Sequence, residues 1–344
     1  MKNQYDYVIG VDISKDSFHA RILSTKSDSV VPVDKISKFD NSIKGFTSFF
    51  NWLSKCNICF QSSLIVMEAT GIYWEKLAFY CVQKENINVS IVNPKQIKHF
   101  AHTNLRRSKT DPLDADLIAH FGIALKPNVW NPPHPILEEL KQISRERDSF
   151  VKMLTEEYNR LHAIKSSSNP SSVVLKSHRA VIKYLEKQIK KLEKVISDKL
   201  DNDPGLKEKK ELLKTVPGIG DISAAVLLTE TNEFSTFTDP KQLAAYAGIS
   251  PCQHESGSSV NKKPRISKVG NSKIRSTLYL SSLSCIRSNS PFKKFYERLR
   301  EKGKPAKVAL IAVARKLLHI IFAIIKSGKA FDPCYISKKP AFAT

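Results

Sequence analysis

Four carboxylates are the residues in this chain best suited to chemistry. In RRSKTDPLDADLIAHFG, residues 106–122, Asp111 and Asp114 stand three apart, directly behind the basic run Arg106, Arg107 and Lys109. Asp12 and Glu68 each end an apolar run, VIGVD and LIVME, where functional groups collect in open α/β sheets. Pro112 suits the first position of a helix, which puts Asp111 and Asp114 on one face of its first turn. Taken alone, that pair reads well as a variant capping box, with Asp111 as N-cap and Asp114 as the third helical residue. Taken as four, the acids would repel one another strongly in a partly desolvated site unless divalent cations neutralise them. Oxygen-only donors suit Mg²⁺ or Mn²⁺, and two such ions about 4 Å apart stabilise the attacking and leaving oxygens of a phosphodiester displacement. The Arg106, Arg107 and Lys109 run would then hold the phosphate backbone. Asp16, in a turn, and Asp116, about 200° around the helix from Asp114, are expected to be solvated.

A second candidate lies in SPCQHESGSSVNKKPRISKVGNSKIR, residues 250–275, which lacks apolar periodicity and is expected to be a long loop. Ser256, Ser258 and Ser259 precede Lys262, Lys263, Arg265, Lys268, Lys273 and Arg275. Serine attack on a phosphodiester needs an activated hydroxyl and a cation to counter the developing charge. Residue types alone do not choose among the three serines. His254 is a proton acceptor by type, although an exposed loop histidine is the plainer reading. In TVPGIGDISAAVLLTE, Gly218 and Gly220 allow a tight helix-hairpin-helix turn whose backbone N–H groups hold phosphate, or else a plain glycine turn between packed helices.

The elements that must position these groups follow from the patterning. Residues 5–12 and 18–23 read as a strand hairpin, a short buried strand ends at Glu68, a helix runs over about 73–83, and INVSIV is another strand. Strands alternating with helices give an α/β domain over 1–130, bounded by the Pro-rich NPPHP. Ile182, Leu185, Ile189, Leu192 and Ile196 follow coiled-coil spacing, so 136–205 is expected to form an antiparallel helical hairpin that needs a partner surface, with SSSNPSS as its break. A mainly helical third region spans 206–332, and 333–344 is a tail.

The chain has 344 residues, with 55 Lys and Arg against 33 Asp and Glu, a net charge of +22. That excess favours a polyanionic partner, DNA or RNA, over a membrane surface. The apolar stretch AKVALIAVARKLLHIIFAIIKSG is interrupted by Arg315, Lys316 and His319, so it reads as a buried helix. Six scattered cysteines without a signal-peptide pattern indicate reduced thiols in the cytoplasm, and Cys56 and Cys59 lack a second pair at zinc spacing.

GVDISKDSFHA, VMEATGIYWEKLA, VNPKQIKHFAHTNLRRSKTDPLDADLIA, VPGIGDISAAVLL and LAAYAGISPCQHESGSSVNKKPRISKVGNSKIRSTL resemble, in order, the DEDD transposases of bacterial insertion sequences related to the Piv invertase. The resemblance covers nearly the whole chain. It implies a RuvC-like, ribonuclease H-type N-terminal domain whose DEDD residues match Asp12, Glu68, Asp111 and Asp114, binding Mg²⁺ or Mn²⁺ as two ions. It also implies a C-terminal transposase domain with a nucleophilic serine matching Ser256, where Glu255, Ser256, Gly257 stand in place of the common Ser-Ser-Gly. It further implies guidance by a structured non-coding bridge RNA, and dimers that assemble into a tetramer on DNA at the nucleoid, with no membrane partner. Two alternatives remain: a RuvC-type metal-dependent nuclease or junction resolvase in which water attacks, and a non-enzymatic nucleic-acid-binding protein.

Overall fold

Strand β1 (Tyr7–Ile13) alternates between two buried faces, and the alternation sets the layers of the first unit. Its antiparallel neighbour is β2 (Ser17–Ser24), followed by the short edge strands β3 (Val31–Pro32) and β4 (Ser37–Asp40), both paired with β2. Helix α1 (Ile43–Lys55), capped by Ser42, leads to β5 (Ser63–Glu68), which pairs with β1 in parallel. Helix α2 (Trp74–Gln83), β6 (Asn88–Val92), α3 (Pro94–Thr103) and α4 (Asp111–Leu125) complete the order, with β6 parallel to β5. Strands β1 to β6 form one mixed sheet ordered β3-β2-β1-β5-β6, with β4 also on β2. Ile9, Val11 and Ile13 face one side, packed with Phe46, Phe49 and Leu53 of α1 and Leu77 and Ala78 of α2. Val8, Leu64 and Val66 face the other, packed with Ile97 of α3 and Leu117, Ile118 and Phe121 of α4. The β-branched runs thus form strands buried on both faces, as parallel sheets require.

The computed structural model describes residues 4–27, 29–103, 111–256, 260–287 and 290–333. The chain divides into two compact units, Met1–Pro132 and Pro133–Thr344. The second begins with two 31-residue helices, α5 (Pro135–Lys165) and α6 (Ser172–Asn202). They run antiparallel: Lys199 pairs with Glu139, Arg147 with Glu193, and the Tyr158 hydroxyl donates to Glu186. Ile182, Leu185, Ile189 and Ile196 are buried, so the seam is covered within the chain. After α7 (Pro204–Lys214), α8 (Asp221–Glu230) and α9 (Pro240–Tyr246) come β7 (Pro251–Ser256), β8 (Val260–Ile266), α10 (Ser272–Arg287), α11 (Pro291–Glu301) and α12 (Ala306–Ser327). Leu137, Leu140, Ile196 and Leu200 at the base of the hairpin join one core with Leu227 and Leu228 of α8, Leu278 of α10 and Leu317 and Ile321 of α12. Helix α12 is long and apolar enough to cross a membrane, but its apolar face is spent on this core. Arg315 and Lys316 fall outside that buried set, as expected for a core helix.

The expected loop over 250–275 is instead an antiparallel β-hairpin with a bulge between Cys252 and His254. Its strands carry Ser, Asn, Lys and Pro rather than alternating apolar residues, so no periodicity announces them. Helix α1 and the edge strands β3 and β4 are also absent from the sequence reading.

Candidate active site

Strand register carries the acids together. Val11 of β1 lies beside Met67 of β5, so Asp12 and Glu68 are the next pair toward the carboxyl ends of two parallel neighbours. Residues two apart on a strand share a face. Asp12 therefore lies on the face of Val8 and Gly10, and Glu68 on that of Leu64 and Val66, the side covered by α4. Both acids are half-buried, and Glu68 accepts a hydrogen bond of 3.0 Å from the Thr70 hydroxyl.

Helix α4 crosses this face in close contact. A side chain at Gly122 would meet Val8 and Val66 at 2.8 and 2.7 Å, and one at Gly10 would meet the Ala115 carbonyl at 2.2 Å and the Ala119 nitrogen at 2.3 Å. The helix thus runs antiparallel to β1, its later turns over Val8 and its first turn toward Asp12. The first turn begins at Asp111 and holds half-buried Asp114. The Asp111 side chain, and Arg106, Arg107 and Lys109, lie outside the described residues.

The donor chemistry fits a hard divalent cation, since each acid offers only carboxylate oxygen. Among the described residues no group of three or more His, Cys, Asp or Glu is gathered closely enough to hold one. The fit is therefore one of chemistry and shared face rather than of a closed cage. Cys56 and Cys59 belong to no such group either, and the Cys56 thiol sits 3.8 Å from Asp34.

Two neighbours escaped the sequence reading. His19 stands directly opposite Asp12 on β2, a cross-strand pair on the same face. Arg21, opposite Gly10, reaches Asp116 at 3.2 Å, and His120 stands 3.8 Å from the same carboxylate. The expectation that Asp116 is solvated is thus corrected. Helix α4 lies over β2 as well as β1, so the flank of the helix faces Arg21 rather than water. Asp16 is exposed, as expected. The hairpin register, countable from the turn, was the available signal for His19.

In the second unit, Ser256 is the last residue of β7, paired with Val260. Its side chain and those of His254, Lys262 and Lys263, together with Gly257, Ser258 and Ser259, lie outside the described residues. Arg265 and Lys268 are exposed. Lys273 and Arg275 are engaged internally: Lys273 donates to Ser144 at 2.9 Å and pairs with Asp148 at 3.2 Å, while Arg275 donates to the Ala247 carbonyl at 3.0 Å and the Lys268 carbonyl at 3.3 Å. Asn271 donates to the buried Glu230 carboxylate at 2.8 Å. These contacts tie the foot of the β-hairpin to α5, α8 and α9.

Gly218 has φ +82° and packs so tightly on α10 that a side chain would meet the Ser281 carbonyl at 2.6 Å. The Cys285 thiol donates to the neighbouring Pro217 carbonyl at 2.6 Å, and burial pushes that thiol's pKa up to about 11. Gly220 is exposed, caps α8 and has nothing within 4 Å of an added side chain. Gly218 thus serves internal packing, and Gly220 faces open space.

Residues 9–170 match a transposase family model of the IS110 DEDD type, and residues 210–297 match the model described as transposase IS116/IS110/IS902 family. The pilin gene-inverting protein of Moraxella bovis is 32% identical over 94% of this chain and 97% of its own length. The transposase for insertion sequence element IS1328 of Yersinia enterocolitica is 23% identical over 94% and 98%. A solved Aquifex aeolicus structure of the Ppx/GppA family is 12% identical, covers 92% of this chain and 90% of its own, and has a TM-score of 0.23, too low to bear on the fold. With both halves matched and a full-length relative above 30% identity, the chain belongs to the IS110/IS116 family of transposases.

Proposed function

We propose that this transposase is a site-specific recombinase that cuts and rejoins the DNA of its insertion sequence through a covalent phosphoserine at Ser256. In this reading Asp12, Glu68, Asp111 and Asp114 hold Mg²⁺ or Mn²⁺, as two ions, and a structured non-coding RNA selects the DNA. The observation that carries it is the shared face: Asp12 and Glu68 at the carboxyl ends of adjacent parallel strands, beneath the first turn of α4. When bound, the metal supplies charge to stabilise the attacking and leaving oxygens. The first unit is then a RuvC-like, ribonuclease H-type domain, which its antiparallel β1–β2 pair followed by parallel β5 and β6 supports.

The serine step is a transesterification. The Ser256 oxygen forms a bond to phosphorus and gives up its proton, while the bond to a deoxyribose oxygen breaks and that oxygen takes a proton. Rejoining reverses the exchange with a different strand, so one phosphoester replaces another and no outside energy source is needed. Exposed Arg265 and Lys268 on the same hairpin supply cations for the phosphate charge. Assembly into dimers and tetramers on paired DNA, with exposed Lys183, Lys187, Lys190, Lys191 and Lys194 of the helical hairpin toward RNA, belongs to the same proposal.

One observation favours a second reading, a RuvC-type nuclease in which water attacks. The four acids belong to the first compact unit and Ser256 to the second. The deciding experiment is a denaturing gel on labelled DNA with Ser256→Ala, Asp12→Asn and chelator. The recombinase reading expects the protein–DNA adduct to vanish in Ser256→Ala while binding persists, and cleavage to vanish in Asp12→Asn and with chelator. Cleavage by Ser256→Ala at wild-type rate, with no adduct from either protein, establishes the water mechanism. Cleavage that survives chelator removes the metal role.

A further inference from the structure

The corner where α11 meets α12 carries cations that neither the acid face nor the serine hairpin uses. On α11, Lys294, Arg298 and, one residue past its end, Lys302 are spaced four apart, so they line one stripe, and all three are exposed. Beneath them the half-buried ring of Phe295 has the Arg298 guanidinium 5.4 Å from its centroid and the Lys316 ammonium of α12 4.7 Å away. Among the described residues, none of these four cations has a carboxylate oxygen within 4.0 Å. Exposed Glu297 and Glu301 are the acids on this stretch of α11, each three residues after a cation of the stripe, Lys294 and Arg298, yet neither comes within 4.0 Å of one. Burial, and then the charge of Arg298, holds the Lys316 ammonium below its ordinary pKa, so these two cations share one ring at a mutual cost.

Like charges held together at a cost call for a counter-charge from outside. The stripe advances about 6 Å for each four-residue step, a pitch comparable to the step between successive phosphates of a nucleic-acid strand. An aromatic ring under two cations keeps them oriented without neutralising them. We infer that the α11–α12 corner is a separate DNA contact surface, with Lys294, Arg298, Lys302 and Lys316 against successive phosphates of one strand of the duplex. The surface reads no bases; it sets register and affinity. It rests on the reading that the chain acts on DNA, but it involves none of the catalytic residues.

The test is binding alone, with the full chain, as a function of salt. The probes are a labelled DNA duplex and a labelled RNA hairpin of arbitrary sequence. The triple variant Lys294→Gln, Arg298→Gln, Lys302→Gln is compared with Lys44→Gln, Lys55→Gln, Lys84→Gln, which removes the same charge from exposed positions of the first unit. The corner variant is expected to lower the slope of log affinity against log salt by about 0.9 for each duplex phosphate it no longer neutralises, or about 0.7 on single strands. The control is expected to leave the slope near wild type. A reduced slope on the DNA duplex supports the surface, and a slope reduced on the RNA hairpin alone overturns it as a DNA contact. A corner variant that matches wild type on both probes, or a control that falls as far, overturns it. Wild type that binds neither probe would instead sink the underlying reading that the chain acts on DNA.

Discussion

A side chain at position 10 would lie 2.2 Å from the Ala115 carbonyl and 2.3 Å from the Ala119 nitrogen, both backbone atoms with nowhere to go. Gly10 donates no ligand, yet its missing Cβ is what lets the first turn of α4 approach Asp12. Gly10→Ala should therefore lower stability by about 1–3 kcal/mol through overpacking and abolish strand transfer with all four acids intact. A thermal melt paired with a recombination assay checks this, and normal activity would show that the acids tolerate a displaced helix. The thiols make an independent residue-scale prediction. Cys59 is exposed and hydrogen bonds from the backbone and hydroxyl of Ser62 hold its pKa below the ordinary thiol value, whereas burial raises those of Cys81 and Cys285. Because the thiolate is the reactive form, alkylation of the folded protein near neutral pH should modify Cys59 first and leave Cys81 and Cys285 unmodified until denaturant is added. Peptide mass spectrometry reads the order directly.

The helical hairpin shows how an element's partner is found only in three dimensions. Its seam spacing calls for a covering surface, and α5 of the same chain provides it, with the base of the hairpin embedded in the second unit's core. Ile189→Asp should consequently cost about 3 kcal/mol or more, the penalty for an unpaired buried charge, seen as a lower melting temperature. An unchanged melting temperature with a smaller mass by light scattering would assign the seam to a second copy instead. The PGIG turn separates two roles in the same way. Gly218→Ala meets the Ser281 carbonyl at 2.6 Å with φ +82° and should destabilise, while Gly220→Ala meets nothing and should leave the melting temperature near wild type. If Gly220→Ala nonetheless weakens duplex binding, the exposed start of α8 is a phosphate contact; unaltered binding leaves only the packing role.

The whole molecule carries a net charge of +22, and exposed cations occur in both units, among them Lys44, Lys55 and Lys84 in the first and Lys183, Lys187, Arg265, Lys294 and Arg298 in the second. With about 6–10 phosphate contacts, affinity for duplex DNA should fall by about 10³–10⁵ between about 50 and 200 mM salt. A fluorescence titration over that range measures it, and a shallow dependence would mean that the charge serves solubility rather than binding.

Much of the first unit is legible from sequence. Apolar β-branched runs can bury both faces only inside a covered sheet, which fixes β1, β2, β5 and β6 and places Asp12 and Glu68 at strand ends. The long helices announce themselves by seam spacing and by the break between them. The serine hairpin was not legible, because a two-stranded ribbon of polar residues has no core face to impose alternation. Nor were the ion pair of Asp116 with Arg21 or the inward engagement of Lys273 and Arg275, since charge in a sequence carries no record of what will stand opposite it. Sequence by itself determined which groups are available and their local periodicity, because burial of apolar surface acts on every residue along an element. Only the tertiary structure decided which groups meet: the strand register beside Asp12, the close crossing of α4 at Gly10 and the cover over the hairpin seam all depend on contacts between residues far apart in the chain.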